Sequence, residues 1–225
     1  MKAFVNKVGF PLISKPLEGF ASNGVVFVRN WEELLPLFEE RNNIFQEYLG
    51  DPDTLKNYFD NFTRSIPLFI QAPQIIIYSS ATIISPHGEI TPFLTLENYH
   101  QYGLTINCRR VDNPELEAIA LRFAKAYFSE GGFGPMSIQF RQDIQGNWKA
   151  MEFNLRSNGN TFTRFLLGQD EIGIIINYAL PFAGFPLYTP STDAYSCRII
   201  KTLQTHCLPM DNINILQRGK WESGR

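Results

Sequence analysis

The first fifty residues alternate short apolar runs with polar or glycine-containing connections. Each run is too short for a helix and is bounded by turn-forming residues, so it predicts a strand. The three predicted strands are Pro11–Lys15, Val25–Val28 and Ile44–Leu49. Before the third strand a helical pattern begins at Trp31, with Asn30 as its N-cap and Glu33 at the capping-box position.

The middle of the chain changes from a helical to a β-like pattern. Leu55–Ile70 carries aromatic residues at helical spacing, which predicts a short amphipathic helix. From Gln74 to Leu96, the runs Ile75–Tyr78 and Thr82–Ile84 are followed by the turn signal Pro86-His87-Gly88. This pattern predicts two antiparallel strands.

The second half of the chain combines helices with a hairpin. Asp112-Asn113-Pro114 supplies a cap and a first-turn proline for a helix that ends at Gly131. Met136–Arg141 and Trp148–Arg156 alternate in period two around a glycine-containing turn, which predicts a β-hairpin. Two further elements are predicted: a helix at Glu171–Leu180 and a strand at Ala194–Thr202.

The predicted hairpin gathers polar side chains on one face. Alternation places Glu152, Asn154 and Arg156 on one side of the second strand, and Gln139 on the matching side of the first. A carboxylate and two amide oxygens, completed by water and phosphate oxygens, are ligands that Mg²⁺ accepts. The alternative is a half-buried strand whose polar face contacts water, which is the more common situation when spacing alone is considered.

The connection KPLEGFASNGV is a second candidate site. Gly19 and Gly24 permit positive φ, and Ser22 and Asn23 lie between them, so backbone N–H groups of this loop can face a phosphate. Lys15 supplies a positive charge at the end of the preceding strand. The alternative is an ordinary long hairpin loop, because the segment matches neither a Walker A loop nor a GxGxxG turn.

The strand Ile44–Leu49 contains an acid within an apolar run. A buried Glu47 carboxylate needs a partner, and the exocyclic amine of an adenine ring is one. The alternative is that Glu47 faces water on an edge strand.

Composition narrows the classes of function. The chain has 225 residues with 20 Lys+Arg against 22 Asp+Glu, so it has no basic field for nucleic acid or anionic lipid. The segment MKAFVNKVGFPL lacks the apolar h-region typical of a signal peptide, no apolar run is long enough to span a bilayer, and we expect a cytoplasmic protein. The three cysteines lack metal or disulfide spacing, and the three histidines form no HExxH group.

Three segments in chain order carry a family resemblance: GFPLISKPLEGFASNGV, FQEYLG and SIQFRQDIQGNWKAMEFNLRSNG. Together they resemble the ATP-grasp superfamily, in particular its carbamoyl-phosphate-synthetase-like branch. The match runs from about Gly9 to Gly168, with an insertion near Leu55–Ile70. The resemblance, which is an analogy with a family, implies an α+β core in which the nucleotide lies between two small lobes built of antiparallel sheets and helices.

The resemblance also implies which residues bind nucleotide. They are Lys15 and the loop residues Gly19, Ser22, Asn23 and Gly24 at the phosphates; Glu47, Tyr48 and Leu49 at the adenine; Asp51 or Asp53 at the ribose; and His100 as a further contact.

A second group of residues resembles the metal and catalytic residues of the family. Gln139, Glu152 and Asn154 resemble the ligands of Mg²⁺, with Mn²⁺ as an alternative ion. Many members have an acid as the first ligand, and Gln139 matches the branch that uses glutamine. Arg156 resembles the arginine that steadies the transferring phosphoryl group, a catalytic role that Lys15 shares.

The resemblance divides the chain into four parts. Residues 1–49 are part of the N-lobe with the phosphate loop and hinge, 50–73 extend the hinge, 74–205 are the C-lobe with the metal-binding hairpin, and 206–225 are a polar tail. Family members normally carry a preceding α/β domain and the start of the ATP-grasp module, whereas Met1 lies only a few residues before the Gly-Phe-Pro strand. We therefore expect a truncated or split protein or a degenerate relative, with a second copy or another chain as its partner.

The implied activity is that of a carbon–nitrogen ligase. The chain would use Mg-ATP to phosphorylate an unidentified carboxylate, and an amine or another nucleophile would attack the acyl phosphate. The alternative is a non-catalytic nucleotide-binding or protein-interaction module that keeps the fold.

Overall fold

A computed structural model describes residues 1–18, 23–55, 75–101, 104–182, 184–190, 193 and 196–202. These residues form two antiparallel sheets with helices packed on them, which confirms the predicted α+β class. The predicted helix at 55–70 and the polar tail at 206–225 lie outside the described residues, except that Leu55 ends a 3-10 helix at Pro52–Leu55.

The smaller sheet is built from the start of the chain. Its strands are β1 (Leu12–Pro16), β2 (Val26–Val28) and β3 (Asn43–Glu47), in the order β2-β1-β3. Helix α1 (Lys2–Val8) precedes β1, and helix α2 (Trp31–Glu39) connects β2 to β3. The buried residues Val5, Leu12, Val28 and Leu34 bring both helices onto this sheet.

Helix α2 has the predicted N-cap but not the complete capping box. The Asn30 side chain accepts a hydrogen bond from the Glu33 backbone N–H at 3.0 Å, which satisfies a donor that has no partner within the helix. The Glu33 carboxylate accepts one from the Arg29 backbone N–H at 2.7 Å, one residue before the cap, rather than from Asn30.

The larger sheet has six strands, in the order β8-β7-β4-β5-β6-β9. The strands are β4 (Ile75–Ile84), β5 (Leu94–Gln101), β6 (Leu104–Arg110), β7 (Gly134–Gln142), β8 (Trp148–Asn154) and β9 (Arg198–Ile200). Helix α3 (Pro114–Ser129) covers one face, where Leu116, Ala120 and Ala124 pack on Met136, Ile138 and Phe140. The opposite face is free to carry polar residues beside β7 and β8.

Two short helices follow the hairpin. They are α4 (Thr161–Leu166) and α5 (Glu171–Ala179), and α5 confirms the predicted helix at 171–180. The Asp170 side chain caps α5 by accepting a hydrogen bond from the Gly173 N–H at 2.9 Å. No helix in the described part of the chain has both the length and the apolar character needed to cross a membrane.

Several predicted strand limits need correction. The runs Ile75–Tyr78 and Thr82–Ile84 belong to one strand, β4, whose antiparallel neighbours are β5 and β7. Ser79 and Ser80 interrupt the apolar pattern without interrupting the backbone pairing. The predicted strand at 194–202 is reduced to β9, and β8 ends at Asn154, before Arg156.

Truncation of Phe140 tests the core beneath the hairpin. Its side chain is fully buried against α3, so Phe140→Ala should lower the free energy of unfolding by about 3–5 kcal/mol, measured by urea denaturation. The matched control is Phe162→Ala, because Phe162 is 70% exposed and its truncation should cost less than about 1 kcal/mol. Similar losses in both variants would contradict the described core.

Candidate functional site

The hairpin brings three of the predicted residues together. Gln139 on β7 lies directly opposite Glu152 on β8, and cross-strand partners share a sheet face. Asn154 Nδ2 donates a hydrogen bond to Glu152 Oε1 at 2.7 Å. One carboxylate and two amide groups therefore share a face, as predicted, although a regular hairpin register would place Met151 opposite Gln139.

A β-bulge interrupts the regular alternation of β8. Gln139 pairs with Glu152 and Phe140 pairs with Ala150, so Met151 is an extra residue without a partner on β7. The bulge turns Ala150 and Phe153 toward α3, where Phe153 packs on Phe123, while Glu152 keeps the other face. Bulges of this kind commonly re-aim side chains next to active sites.

The donor set suits a hard divalent cation. Among the described residues, no three His, Cys, Asp or Glu side chains gather into a metal-binding group. Gln139, Glu152 and Asn154 offer oxygen donors with a single negative charge, which resembles the sparse protein coordination of Mg²⁺. These residues fit such an ion, and their ligation remains a prediction.

Lys15 reaches the hairpin from the smaller sheet. Its Nζ donates to the Met151 carbonyl, the bulge residue, at 2.9 Å. Burial lowers the pKa of the half-buried Lys15 ammonium, whereas the nearby Glu152 carboxylate acts in the opposite direction. The predicted phosphate-binding lysine and the predicted metal-binding carboxylate are therefore close enough to interact.

The end of β3 also contacts the hairpin. Gln46 Nε2 donates to the Ala150 carbonyl at 3.4 Å, and Glu47 forms an ion pair with Lys149 at 3.5 Å. Lys149 lies 3.6 Å from Asp143 as well. The Glu47 carboxylate is therefore paired with the Lys149 ammonium and does not contact water alone. Its contact with adenine remains a prediction.

The predicted hinge is organised by Arg141, which sequence reasoning missed. The Tyr48 ring lies 5.3 Å from the Phe27 ring and 5.4 Å below the Arg141 guanidinium carbon. At Gly50, whose φ is 110°, an added Cβ would lie 2.4 Å from Arg141 Nη2. The positive φ favours glycine at this position, and with any other residue the Arg141 side chain would have to shift.

Leu49 and Asp53, predicted to contact the adenine and the ribose, differ in their exposure. Leu49 is 4% exposed and belongs to the core, whereas Asp53 is exposed in the 3-10 helix. The Asp53 backbone N–H donates to the Asp51 carboxylate at 2.9 Å, so Asp51 serves as a local cap. Their contacts with nucleotide remain predictions.

The predicted phosphate loop is described only at its end. Gly19 and Ser22 lie outside the described residues, and Asn23 and Gly24 form a turn before β2. Gly24 has φ of 74°, and an added Cβ would lie 3.2 Å from the Pro16 ring. The positive φ agrees with the conformation that the sequence assigns to this glycine.

His100 lies on β5, near the same group of charges. Its Nε2 is 3.1 Å from the Thr105 hydroxyl oxygen. Burial and the Lys201 ammonium lower the pKa of the His100 imidazole, and the Glu152 carboxylate raises it. The histidine is therefore within electrostatic range of the hairpin carboxylate.

The loop after β8 is anchored by a buried ion pair. Arg164 and Glu171, 2% and 3% exposed, pair with each other. Ser157 Oγ donates to the Glu171 carboxylate, and Arg164 Nη1 donates to Asn158 Oδ1 at 3.1 Å. Arg156 lies within this segment but is exposed, and its Nη1 donates to the Ser157 carbonyl at 3.2 Å.

A cavity of about 570 Å³ lies behind this loop, away from Gln139, Glu152 and Asn154. Helices α4 and α5 and residues 185–188 line it, mainly with apolar side chains such as Phe165, Ile172 and Leu187. Thr161 and Glu171 contribute to both the cavity wall and the anchored loop.

Solved structures of nucleotide-dependent enzymes share this fold. The biotin carboxylase domain dimer of Hydrogenobacter thermophilus 2-oxoglutarate carboxylase, in complex with MgADP, ADP and bicarbonate, matches 88% of the chain with a TM-score of 0.59 and 16% identity. A biotin carboxylase complex from Campylobacter jejuni matches 78% with a TM-score of 0.55 and 14% identity. An ADP complex of N5-carboxyaminoimidazole ribonucleotide synthetase matches 83% with a TM-score of 0.53 and 17% identity.

The chain spans less than half of each of these proteins, namely 42%, 38% and 45% of their lengths in the same order. No family model and no curated protein sequence matches the chain. At this level of identity the comparisons establish the fold.

Removal of the buried carboxylate tests the anchoring of the loop. Glu171→Gln leaves the buried Arg164 guanidinium without a countercharge, so the free energy of unfolding should fall by about 3–5 kcal/mol. The control is Glu33→Gln, which breaks an exposed i,i+4 pair with Arg29 and should cost at most about 1 kcal/mol. Urea denaturation measures both, and equal losses would argue against a special role for the buried pair.

Proposed function

Because the chain has the ATP-grasp fold, we propose that it is the nucleotide-binding core of an Mg-ATP-dependent ligase. It would phosphorylate a carboxylate to an acyl phosphate, which an amine or another nucleophile then attacks. The observation that carries the proposal is the convergence of Lys15 from one sheet with Glu152 from the other. A cation and a metal-binding carboxylate at one point suit a bound triphosphate.

In this proposal the chain acts by positioning and by neutralising charge. Lys15 exchanges its hydrogen bond with the Met151 carbonyl for one with a phosphate oxygen. Arg156, exposed at the start of the anchored loop, stabilises negative charge on the transferring phosphoryl group. No side chain of the protein needs to form a covalent intermediate.

Gln139, Glu152 and Asn154 would hold Mg²⁺, with Mn²⁺ as an alternative. The ion would neutralise phosphate charge and fix the orientation of the phosphates. Glu152 supplies the only negative charge of the three ligands, so its loss should affect metal-dependent binding most.

At the other end of the nucleotide, Glu47 and the backbone at Leu49 bind the adenine in this proposal. Tyr48 and Arg141 hold the hinge in place through their mutual contact. The Glu47 carboxylate would then leave Lys149 in favour of the exocyclic amine, or share the two partners.

The proposal also includes an acceptor carboxylate and a partner chain. A second copy of the chain, or another chain that supplies further ATP-grasp elements, would complete the site in this proposal. A non-catalytic nucleotide-binding or interaction module would keep nucleotide binding without turnover.

Calorimetry with ATP tests the proposal directly. We expect binding in the presence of Mg²⁺ and much weaker binding in EDTA, because one lysine and loop amides leave most of the triphosphate charge uncompensated. GTP under the same conditions is the control for base recognition by the hinge. Absence of binding at millimolar Mg-ATP would exclude nucleotide binding by the isolated chain.

Two substitutions separate the lysine from the metal site. Lys15→Ala should weaken ATP binding about tenfold or more with or without Mg²⁺, because it removes a charge-assisted hydrogen bond. Glu152→Ala should remove mainly the Mg²⁺-dependent part of the affinity. Both are measured by calorimetry in Mg²⁺ and in EDTA.

The matched controls for these variants are Lys125→Ala and Glu130→Ala, at exposed positions in and just after α3. They should leave ATP affinity unchanged, and circular dichroism should show all four variants folded. Equal losses for Lys15→Ala and Glu152→Ala in both conditions would contradict the separate roles.

A further inference from the structure

Lys201 is a half-buried cation that has no acidic partner within the described part of the chain. Its Nζ donates to two neutral oxygens, the Gly159 carbonyl at 2.8 Å and Asn160 Oδ1 at 2.6 Å. Among the residues that the structure describes, no carboxylate reaches ion-pair distance of this ammonium. A desolvated charge of this kind favours an anion as its third hydrogen-bond partner.

A chain of polar contacts connects Lys201 to the metal-binding hairpin. Asn160, which accepts from Lys201, donates through Nδ2 to Asn98 Oδ1 at 2.9 Å. Asn98 Nδ2 donates to Ser79 Oγ at 3.0 Å, and Ser79 lies opposite Gln139 on the neighbouring strand. Lys201 is therefore linked through Asn160 and Asn98 to Ser79, the cross-strand neighbour of Gln139 on the larger sheet.

His100 follows Asn98 by two residues on β5, and its Nε2 lies 3.1 Å from the Thr105 hydroxyl oxygen. Burial and the Lys201 ammonium lower the pKa of its imidazole, and the Glu152 carboxylate raises it. The nearby Arg164 guanidinium is neutralised by its buried pair with Glu171. That carboxylate bonds the guanidinium and Ser157 rather than Lys201.

We propose that Lys201, held in place by Gly159 and Asn160, forms an anion subsite that binds the carboxylate of the acceptor substrate. The proposal rests on the proposed function, since it supplies the group that would be phosphorylated. The anchored loop holds Asn160 in place, so the subsite is organised before the substrate arrives. The acceptor carboxylate then lies on the same face as the metal ligands.

Nuclear magnetic resonance with acetate, the simplest carboxylate, tests the subsite without nucleotide. The reporter is the imidazole signal of His100, assigned with a His100→Gln variant, at neutral pH and constant ionic strength set with chloride. In the wild-type chain acetate should shift this signal saturably. Lys201→Met should weaken acetate binding about tenfold, because a charge-assisted hydrogen bond is lost.

Two further variants test whether Lys201 binds acetate or only stabilises the fold through its hydrogen bonds. Lys201→Arg keeps the charge and should retain most of the acetate affinity, whereas Lys125→Met on α3 should behave as the wild type. Thermal melting reports whether each variant is folded, and Lys201→Gln replaces Lys201→Met if the latter unfolds. Acetate affinity that is unchanged by loss of the Lys201 charge would overturn the subsite.

A titration with inorganic phosphate, done in the same way, tests whether the site binds phosphate rather than a carboxylate. A saturable response to phosphate with none to acetate would identify a phosphate site and overturn the carboxylate assignment. Mg-ATP calorimetry is independent of both titrations. Failure of ATP binding with acetate binding intact would reject the proposed function alone, whereas ATP binding without an acetate response would reject the subsite alone.

Discussion

The bulge at Met151 is the feature on which the arrangement of the two sheets depends. Because Met151 has no partner on β7, its carbonyl is available to accept the Lys15 ammonium, and the neighbouring Ala150 carbonyl accepts Gln46. Backbone carbonyls removed from water need such partners. These two hydrogen bonds hold the smaller sheet against the hairpin and bring Lys15 close to Glu152, where the proposed phosphate and metal contacts meet.

The larger sheet uses its two faces for different purposes. One face buries Met136, Ile138 and Phe140 under α3 and provides the apolar stabilisation of this part of the chain. The other buries Leu94 and Leu96 against Leu167, and beside them it carries amides and hydroxyls that are hydrogen-bonded through Asn98 and Asn160. Buried polar groups lower the stability of the fold unless they are hydrogen-bonded to one another, as these are. The network also contacts Lys201, the residue of the proposed anion subsite.

Local signals in the sequence were sufficient for several elements. Asn30 and Asp112-Asn113-Pro114 predict the starts of α2 and α3 because side-chain caps act over three or four residues. The hairpin turn predicts the pairing of β7 with β8, but its regular register would place Gln139 opposite Met151, and the bulge brings Gln139 opposite Glu152. Helices α1 and α4 were not predicted, since seven and six residues are too few to display a helical period.

The sequence by itself determined the capped helices and the shared side of Glu152 and Asn154 on β8, because each depends on contacts within one element, whereas the α+β class was implied by the family resemblance. Only the tertiary structure decided that the Met151 carbonyl accepts Lys15, that Arg141 packs on Tyr48, and that Lys201 contacts Asn160. Those contacts link residues from different sheets or distant parts of the chain. Their formation depends on how whole elements pack, which no local spacing of residue types records.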